Sequence, residues 1–272
     1  MKVVMCVPTI TRPYQQLIQS IEQAVPALDA AGIEHQFVSE IGNPYISQAR
    51  NVMLRKALDA NADQIIFLDH DVSFPPEALL KLIQTEGDVV SGTYRFKKDE
   101  EDYMGCLYTT GTGHPIVRQS DGAIHAEWVP AGFLRVTAGA VDKFMKAYPH
   151  LCYGLAYRPH VDLFNHGAHK GIWYGEDYAF SRNWNDCGGS IWLVPDMDIT
   201  HHSAEKAYPG NYHMYLRRRP GGDLWQPSTG STPSTATKLP RWIWKQNTTN
   251  KTGGSGILRE RLSPNPSFRL TA

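Results

Sequence analysis

The stretch Gln64-Ile65-Ile66-Phe67-Leu68-Asp69-His70-Asp71 constrains the fold more than any other part of the chain. A short run of β-branched and aromatic residues that stops abruptly reads as a buried strand. Carboxylates at its end emerge at the carboxyl edge of a sheet, where open α/β folds bind their ligands. Side chains on a strand repeat with a period of two, so Asp69 and Asp71 point to the same side. Such a pair repels itself unless a cation sits between or beside the two groups. A Mg²⁺ or Mn²⁺ ion carrying a phosphorylated ligand suits oxygen donors of this kind. A turn followed by a helix cap is the competing reading, since Asp favours both roles.

The flanking sequence extends this strand into an α/β alternation. Residues 3–7 read as a strand. Residues 14–31 read as a helix, with Leu17, Ile18, Ile21, Ala24, Val25 and Leu28 at helical spacing. Pro26 lies inside it, a residue type that ends or kinks helices. A strand over 35–39 and a helix over 46–60 follow. After the Ile65 strand, Pro75 and Pro76 open a third helix, where proline is tolerated in the first turn. Residues 88–92 form a further strand. This order argues for an α/β fold with a mostly parallel sheet and helices on both faces. Residues 94–130 read as loops and short antiparallel strands. Residues 133–136 are a strand, 141–147 a short helix and 191–195 the last clear core strand.

Of the 272 residues, 42% are hydrophobic and 20% charged, which suits a folded globular protein. No apolar run approaches the length of a membrane span. The run Met1–Pro8 is too short for a signal peptide and is expected to be the first core strand. Cys6, Cys106, Cys152 and Cys187 are widely spread, so free thiols in a reducing, cytoplasmic setting are expected. Charge is divided unevenly. From Arg217 onward there are ten Lys/Arg and two acids, a net +8, whereas the preceding part carries a net −8. Two regions are therefore expected, 1–216 as the main domain and 217–272 as a basic extension rich in Pro, Gly, Ser and Thr. A segment so charged meets nucleic acid, phospholipid or the protein's own acidic face.

Chemistry-bearing residues recur in a fixed order. Pro8-Thr9 and Arg12 end the first strand, and Arg50-Asn51 lie in the second helix. Asp69-His70-Asp71 follow the third strand. Gly175-Glu176-Asp177 precede a helical stretch, and His201-His202 follow the last core strand. In this order, from about Lys2 to about Ser203, the chain resembles the GT-A glycosyltransferases, close in pattern to the large family 2 of nucleotide-sugar transferases. The ordered set carries the resemblance, since each part has a plainer reading. Arg50-Asn51 could be a solvated helix face, Glu176-Asp177 helix N-terminal charges, and His201-His202 surface histidines.

The resemblance implies a GT-A, Rossmann-like sheet with a smaller antiparallel acceptor-side portion. It implies that Pro8, Thr9 and Arg12 border the nucleobase and ribose, with Glu40 near the base. Arg50 and Asn51 would face the nucleotide. Asp69 and His70 would lie at the ribose and metal, and Ala131 and Gly132 in the loop shaping the sugar pocket. Asp71 and His201, with Asp69, would hold Mn²⁺ or Mg²⁺. Asp177 would be the general base, with Glu176 holding hydroxyls beside it. His70 and Ser203 depart from the commoner family pattern without removing a ligand. The implied activity is transfer of a sugar from a nucleotide-sugar, such as a UDP-sugar, to an acceptor hydroxyl, with inversion.

The acceptor stays open at this level. Trp225, Trp242 and Trp244 interleave with the basic residues after Arg217, a pattern that neutralises phosphates and stacks on bases. Sugar addition to a hydroxylated base in viral DNA fits it, and saccharide or lipid-linked acceptors fit the family more broadly. A non-catalytic nucleotide-sugar or nucleic-acid binding protein on the same fold is the alternative, against which the retained Asp71, Asp177 and His201 speak. His160, His166 and His169 form a further group without the carboxylate or cysteine pattern of a structural zinc site. Trp128 and Trp173 could stack on a sugar or base, although core packing is commoner for tryptophan.

Overall fold

The computed structural model describes residues 1–111 and 113–219 of the chain. These residues belong to the first of two units, Met1–Leu239; the second, Pro240–Ala272, lies outside the described residues, as does most of the expected basic extension. The elements begin with β1 (Lys2–Thr9), α1 (Gln15–Ala30), β2 (Glu34–Ile41), α2 (Ile46–Asp59), β3 (Gln64–Leu68) and β4 (Val72–Ser73). They continue with α3 (Pro76–Gln84), β5 (Val89–Ser91), β6 (Cys106–Leu107), β7 (Ile124–Trp128), β8 (Phe133–Thr137) and α4 (Ala138–Ala147). Two hairpins follow, β9 (Cys152–Leu155) with β10 (Arg158–Val161), and β11 (Gly167–His169) with β12 (Ile172–Tyr174). The last elements are α5 (Glu176–Asp186), β13 (Ile191–Leu193), β14 (Asp198–His202), β15 (Ala207–Asn211) and α6 (Tyr212–Arg218).

Among the described residues the main sheet has the order β2-β1-β3-β8-β5-β13-β7-β6. The pairs β1–β2, β1–β3 and β5–β13 are parallel, whereas β8 runs antiparallel to both β3 and β5. The carboxyl ends of β1, β3 and β5 therefore share one edge with the start of β8. The strand period of two sorts alternate residues to opposite faces. Val4, Cys6, Ile65, Phe67 and Val89 pack with α2, α4 and α5 residues in one apolar core. Val3, Met5, Ile66, Leu68 and Val90 pack with α1 and α3 residues in the other. Both faces are covered, which is why these strands read as continuous apolar runs.

The expected mostly parallel sheet with a smaller antiparallel portion is the α/β architecture observed. Two details go beyond the reading above. Helix α1 runs through Pro26 to Ala30. Beyond the last core strand, Asp198–His202 forms a further strand, β14, pairing with β15 and with β4.

Helix α2 carries the feature that matters most for the site. Its buried face includes Ala49, Met53, Leu54 and Ala57, and Arg50 and Asn51 share it, at 2% and 3% exposure. They do not form a solvated helix face. The Arg50 guanidinium lies 5.3 Å over the Phe164 ring, which is packed edge-on to Phe67 at 5.0 Å. Truncation of this buried ring leaves a cavity under a buried charge. Phe164→Ala is expected to lower the unfolding free energy by roughly 3–5 kcal/mol, measured by urea denaturation.

Candidate active site

Where β3 ends, the backbone leaves the sheet and delivers Asp69 and Asp71 to different partners. The Asp69 N–H donates to the Gly132 carbonyl at 3.0 Å, tying the strand end to the loop before β8. Its Oδ1 accepts from Arg50 Nη2 at 2.6 Å, and its Oδ2 accepts from the Tyr94 hydroxyl at 3.2 Å. Arg50 Nη1 donates to Glu176 Oε1 at 2.7 Å. One guanidinium thus links the third strand to the start of α5. Burial works against this charge, but Asp69 and Glu176 outweigh it and hold Arg50 protonated. There is no space for a side chain at Gly132, because a Cβ would lie 2.1 Å from the Tyr94 hydroxyl and 2.3 Å from Asp69 Oδ2.

Asp71 meets a different set of groups. Pairing of β4 with β14 sets His201 opposite Val72 and brings its Nε2 to 3.5 Å from Asp71 Oδ2. His201 Nδ1 lies 2.8 Å from the Arg95 carbonyl, which can only accept, so Nδ1 donates to it while Nε2 faces the carboxylate. Lys97 Nζ contacts the same Asp71 oxygen. Burial would raise the Asp71 carboxyl, but the contacts with His201 and Lys97 hold it well below the usual carboxylate range. The next residue, His202, is buried and bonded through Nε2 to Ser73 Oγ at 2.7 Å, a structural partnership.

Asp177 has the opposite character. Burial, then the charge of Glu176, pushes its carboxyl up to about 7, against the Tyr178 N–H and Arg50. Its Oδ1 accepts from that N–H at 2.8 Å. Helix N-termini ordinarily favour carboxylate charge; here the loss of water and the neighbouring acids prevail. The Tyr94 hydroxyl, raised foremost by burial, also feels Asp69, Arg50, Asp71 and Asp177, so these groups share one site.

The remaining expected residues divide into near and far. Pro8 and Thr9 end β1 at the same sheet edge, with Thr9 6% exposed and its Oγ1 lacking a partner. Arg12 is exposed just beyond it. The His70 carbonyl accepts from the Tyr14 N–H at 2.9 Å, and its ring lies 5.7 Å from that of Tyr14. Ala131 is buried beside Gly132. Glu40 pairs with Lys56 at 2.9 Å, and Asn51 donates to Asp162 at 2.8 Å. His160 stacks on Tyr153, His166 lies by Trp173 and His169 by Tyr174, so these three histidines have separate aromatic neighbours. Trp128 stacks on Tyr178 with centroids 3.8 Å apart, and Trp173 is 71% exposed. Tyr94 and Lys97 were not singled out from sequence. Their only signal is position, in the loop that leaves the carboxyl end of β5.

Among the described residues no group of three or more His, Cys, Asp and Glu forms a ready metal cage. The donor set nevertheless fits a hard divalent ion that keeps ligand phosphates and water in its shell. Asp71 Oδ2 and His201 Nε2, 3.5 Å apart, would be the two side-chain atoms to hold it. Both oxygens of Asp69 already have partners in Arg50 and Tyr94.

No protein-family model matches the chain, and no curated protein matches it. Among solved structures it is similar to GalNAc-T7 with UDP, GalNAc and Mn²⁺, at 11% identity and a TM-score of 0.43, over 73% of this chain and 43% of that one. It is also similar to a Drosophila β1,4-galactosyltransferase 7 in complex with manganese, UDP-Gal and xylobiose. That match has 13% identity and a TM-score of 0.41, over 85% of this chain and 82% of the other. A glycosyltransferase involved in glycosylation of the major capsid of PBCV-1 matches at 10% identity and a TM-score of 0.29, over 53% and 65% of the two chains. No helix among the described residues is long and apolar enough to cross a membrane.

The Asp177 carboxyl gives a stability test. Its folded value, about 7, exceeds the ordinary 3.8, so the native state binds the proton more tightly than the unfolded chain. Its contribution to stability is therefore full below about pH 4 and declines as pH rises toward 7. Asp177→Asn removes that decline. The variant is expected to melt above wild type at pH 8, with the difference vanishing below about pH 4, read by thermal unfolding across pH.

Proposed function

We propose that the protein is a metal-dependent glycosyltransferase that moves a hexosyl or pentosyl group from a nucleotide-sugar, a UDP-sugar first among candidates, to an acceptor hydroxyl with inversion. One observation carries this reading. At a single sheet edge, Asp71 faces His201 and stays ionised, while Asp177 is held near neutrality as a proton acceptor requires. Two carboxylates tuned in opposite directions suit two tasks, holding the leaving group and removing a proton.

Asp71 and His201 would hold Mn²⁺ or Mg²⁺, whose charge offsets the negative charge that builds on a departing diphosphate. Thr9 and His70 border the same edge, on the side proposed for the nucleoside. Asp177 accepts the proton of the acceptor hydroxyl as its oxygen bonds to the anomeric carbon. The bond from that carbon to the diphosphate oxygen breaks on the opposite face. Arg50 holds Glu176 and Asp69 in place at the ends of two elements, so its role is positioning. A saccharide hydroxyl is the acceptor class proposed, since Tyr153, Tyr157 and Trp173 expose aromatic faces on the two hairpins before α5. The nucleic-acid alternative rests on Arg217, Arg218 and Arg219, of which Arg218 pairs with Glu101 at 2.7 Å, and on basic residues that lie outside the described residues.

The primary test is release of UDP from a panel of UDP-sugars with Mn²⁺. Wild type is expected to turn over at least one donor, and Asp71→Ala to reduce that rate at least 100-fold. Failure on every donor, or an undiminished rate in the variant, overturns the enzyme reading. With the acceptor present, kcat/KM is expected to rise with pH through about 7 as Asp177 loses its proton. Asp177→Asn should cost roughly 10²–10⁴-fold in rate, measured under the same conditions.

A further inference from the structure

Lys97 has no part in the reading above, yet its ammonium is aimed into the site. It lies in the loop after β5, whose backbone is pinned by the Arg95–Tyr103 bridge and by the Phe96 N–H donating to the Asp102 carbonyl at 3.0 Å. The neighbouring lysine points elsewhere, since Lys98 pairs with Asp102 at 2.7 Å. Lys97 instead reaches Asp71 Oδ2, the same oxygen that faces His201 Nε2. Asp71 and His201 side chains are each 12% exposed, whereas Lys97 is 34% exposed.

We propose that Lys97 is a tethered cation that competes with the divalent ion for Asp71 and so sets the affinity of the site for metal. The inference rests on the metal-site reading given above. Three facts carry it. Lys97 already places a positive charge on the Asp71 oxygen that faces His201 Nε2, the oxygen a divalent ion would use. A lysine ammonium is a compact point charge on a flexible stem, so it holds that place without the directional cage of an arginine. The side chain is open enough to solvent to rotate away while its backbone stays pinned. An arriving dication at Asp71 Oδ2 would otherwise meet a like charge within a few ångströms, where repulsion costs on the order of kilocalories per mole. Displacing Lys97 is thus part of metal binding.

Mn²⁺ binding to the full chain, followed by calorimetry and by electron paramagnetic resonance, tests this without relying on activity. Lys97→Met is expected to bind Mn²⁺ at least tenfold more tightly than wild type, Lys97→Gln to behave like it, and Lys97→Arg to stay near wild type. Asp71→Asn should lose binding in either background. In the unmutated protein, Mn²⁺ is expected to increase labelling of Lys97 by an amine-reactive reagent, read by mass spectrometry, because the displaced side chain moves from Asp71 into solvent. Equal or weaker Mn²⁺ affinity in Lys97→Met and Lys97→Gln, or unchanged labelling, overturns the inference and leaves the metal site standing. Absence of Mn²⁺ binding in all the Lys97 variants and in wild type overturns both.

Discussion

A guanidinium with 2% of its surface exposed must be matched by charge, and Arg50 is matched twice, by Asp69 at 2.6 Å and Glu176 at 2.7 Å. Breaking one arm of such a buried arrangement costs about 3–5 kcal/mol, because the charge left behind has no water to replace its partner. The same bonds fix geometry. Arg50 comes from α2, Asp69 from the end of β3 and Glu176 from the first turn of α5, so the network locks three elements around one atom group. Tyr94 and Gly132 complete it. The hydroxyl holds the second Asp69 oxygen, and the glycine leaves room for both.

This lock explains how like groups acquire unlike properties within one site. Asp69 is neutralised by Arg50 and Asp71 by Lys97 beside His201, whereas among the described residues Asp177 has no ion pair. Having Arg50 spent on Asp69 and Glu176 leaves Asp177 facing acids in a poorly solvated position, and its carboxyl rises accordingly. Cation placement, more than carboxylate placement, therefore assigns roles along this sheet edge. It also identifies Tyr94 and Lys97 as residues that matter despite lying in a segment that reads as loop.

Much of the fold was legible because both sheet faces are covered. Buried strands such as Val3–Val7 and Ile65–Leu68 must be continuously apolar, and α3 announces itself with Pro75-Pro76 and a leucine-rich face. The short β14 was not legible. Asp198-Ile199-Thr200-His201-His202 alternates weakly, and its strand character comes from pairing with β4 and β15 rather than from propensity. For a related reason, Pro26 does not end α1. Tertiary packing of Leu17, Ala24 and Leu28 carries α1 past a residue that weakens an isolated helix.

For the site, sequence by itself determined the chemistry available at the sheet edge: carboxylates at a strand end, a second acidic pair opening a helix, and late histidines. A short apolar run can terminate in only so many places, and a strand end at the carboxyl edge of a sheet is exposed to ligands. Which cation neutralises which carboxylate was decided only by tertiary structure. Arg50 and Glu176 lie 126 positions apart, and Lys97 and Asp71 lie 26 apart across a loop that carries no periodic signal. Electrostatics falls off with distance in space and not along the chain. The folded sheet alone sets those distances, and with them the division between a carboxyl held low and one pushed up.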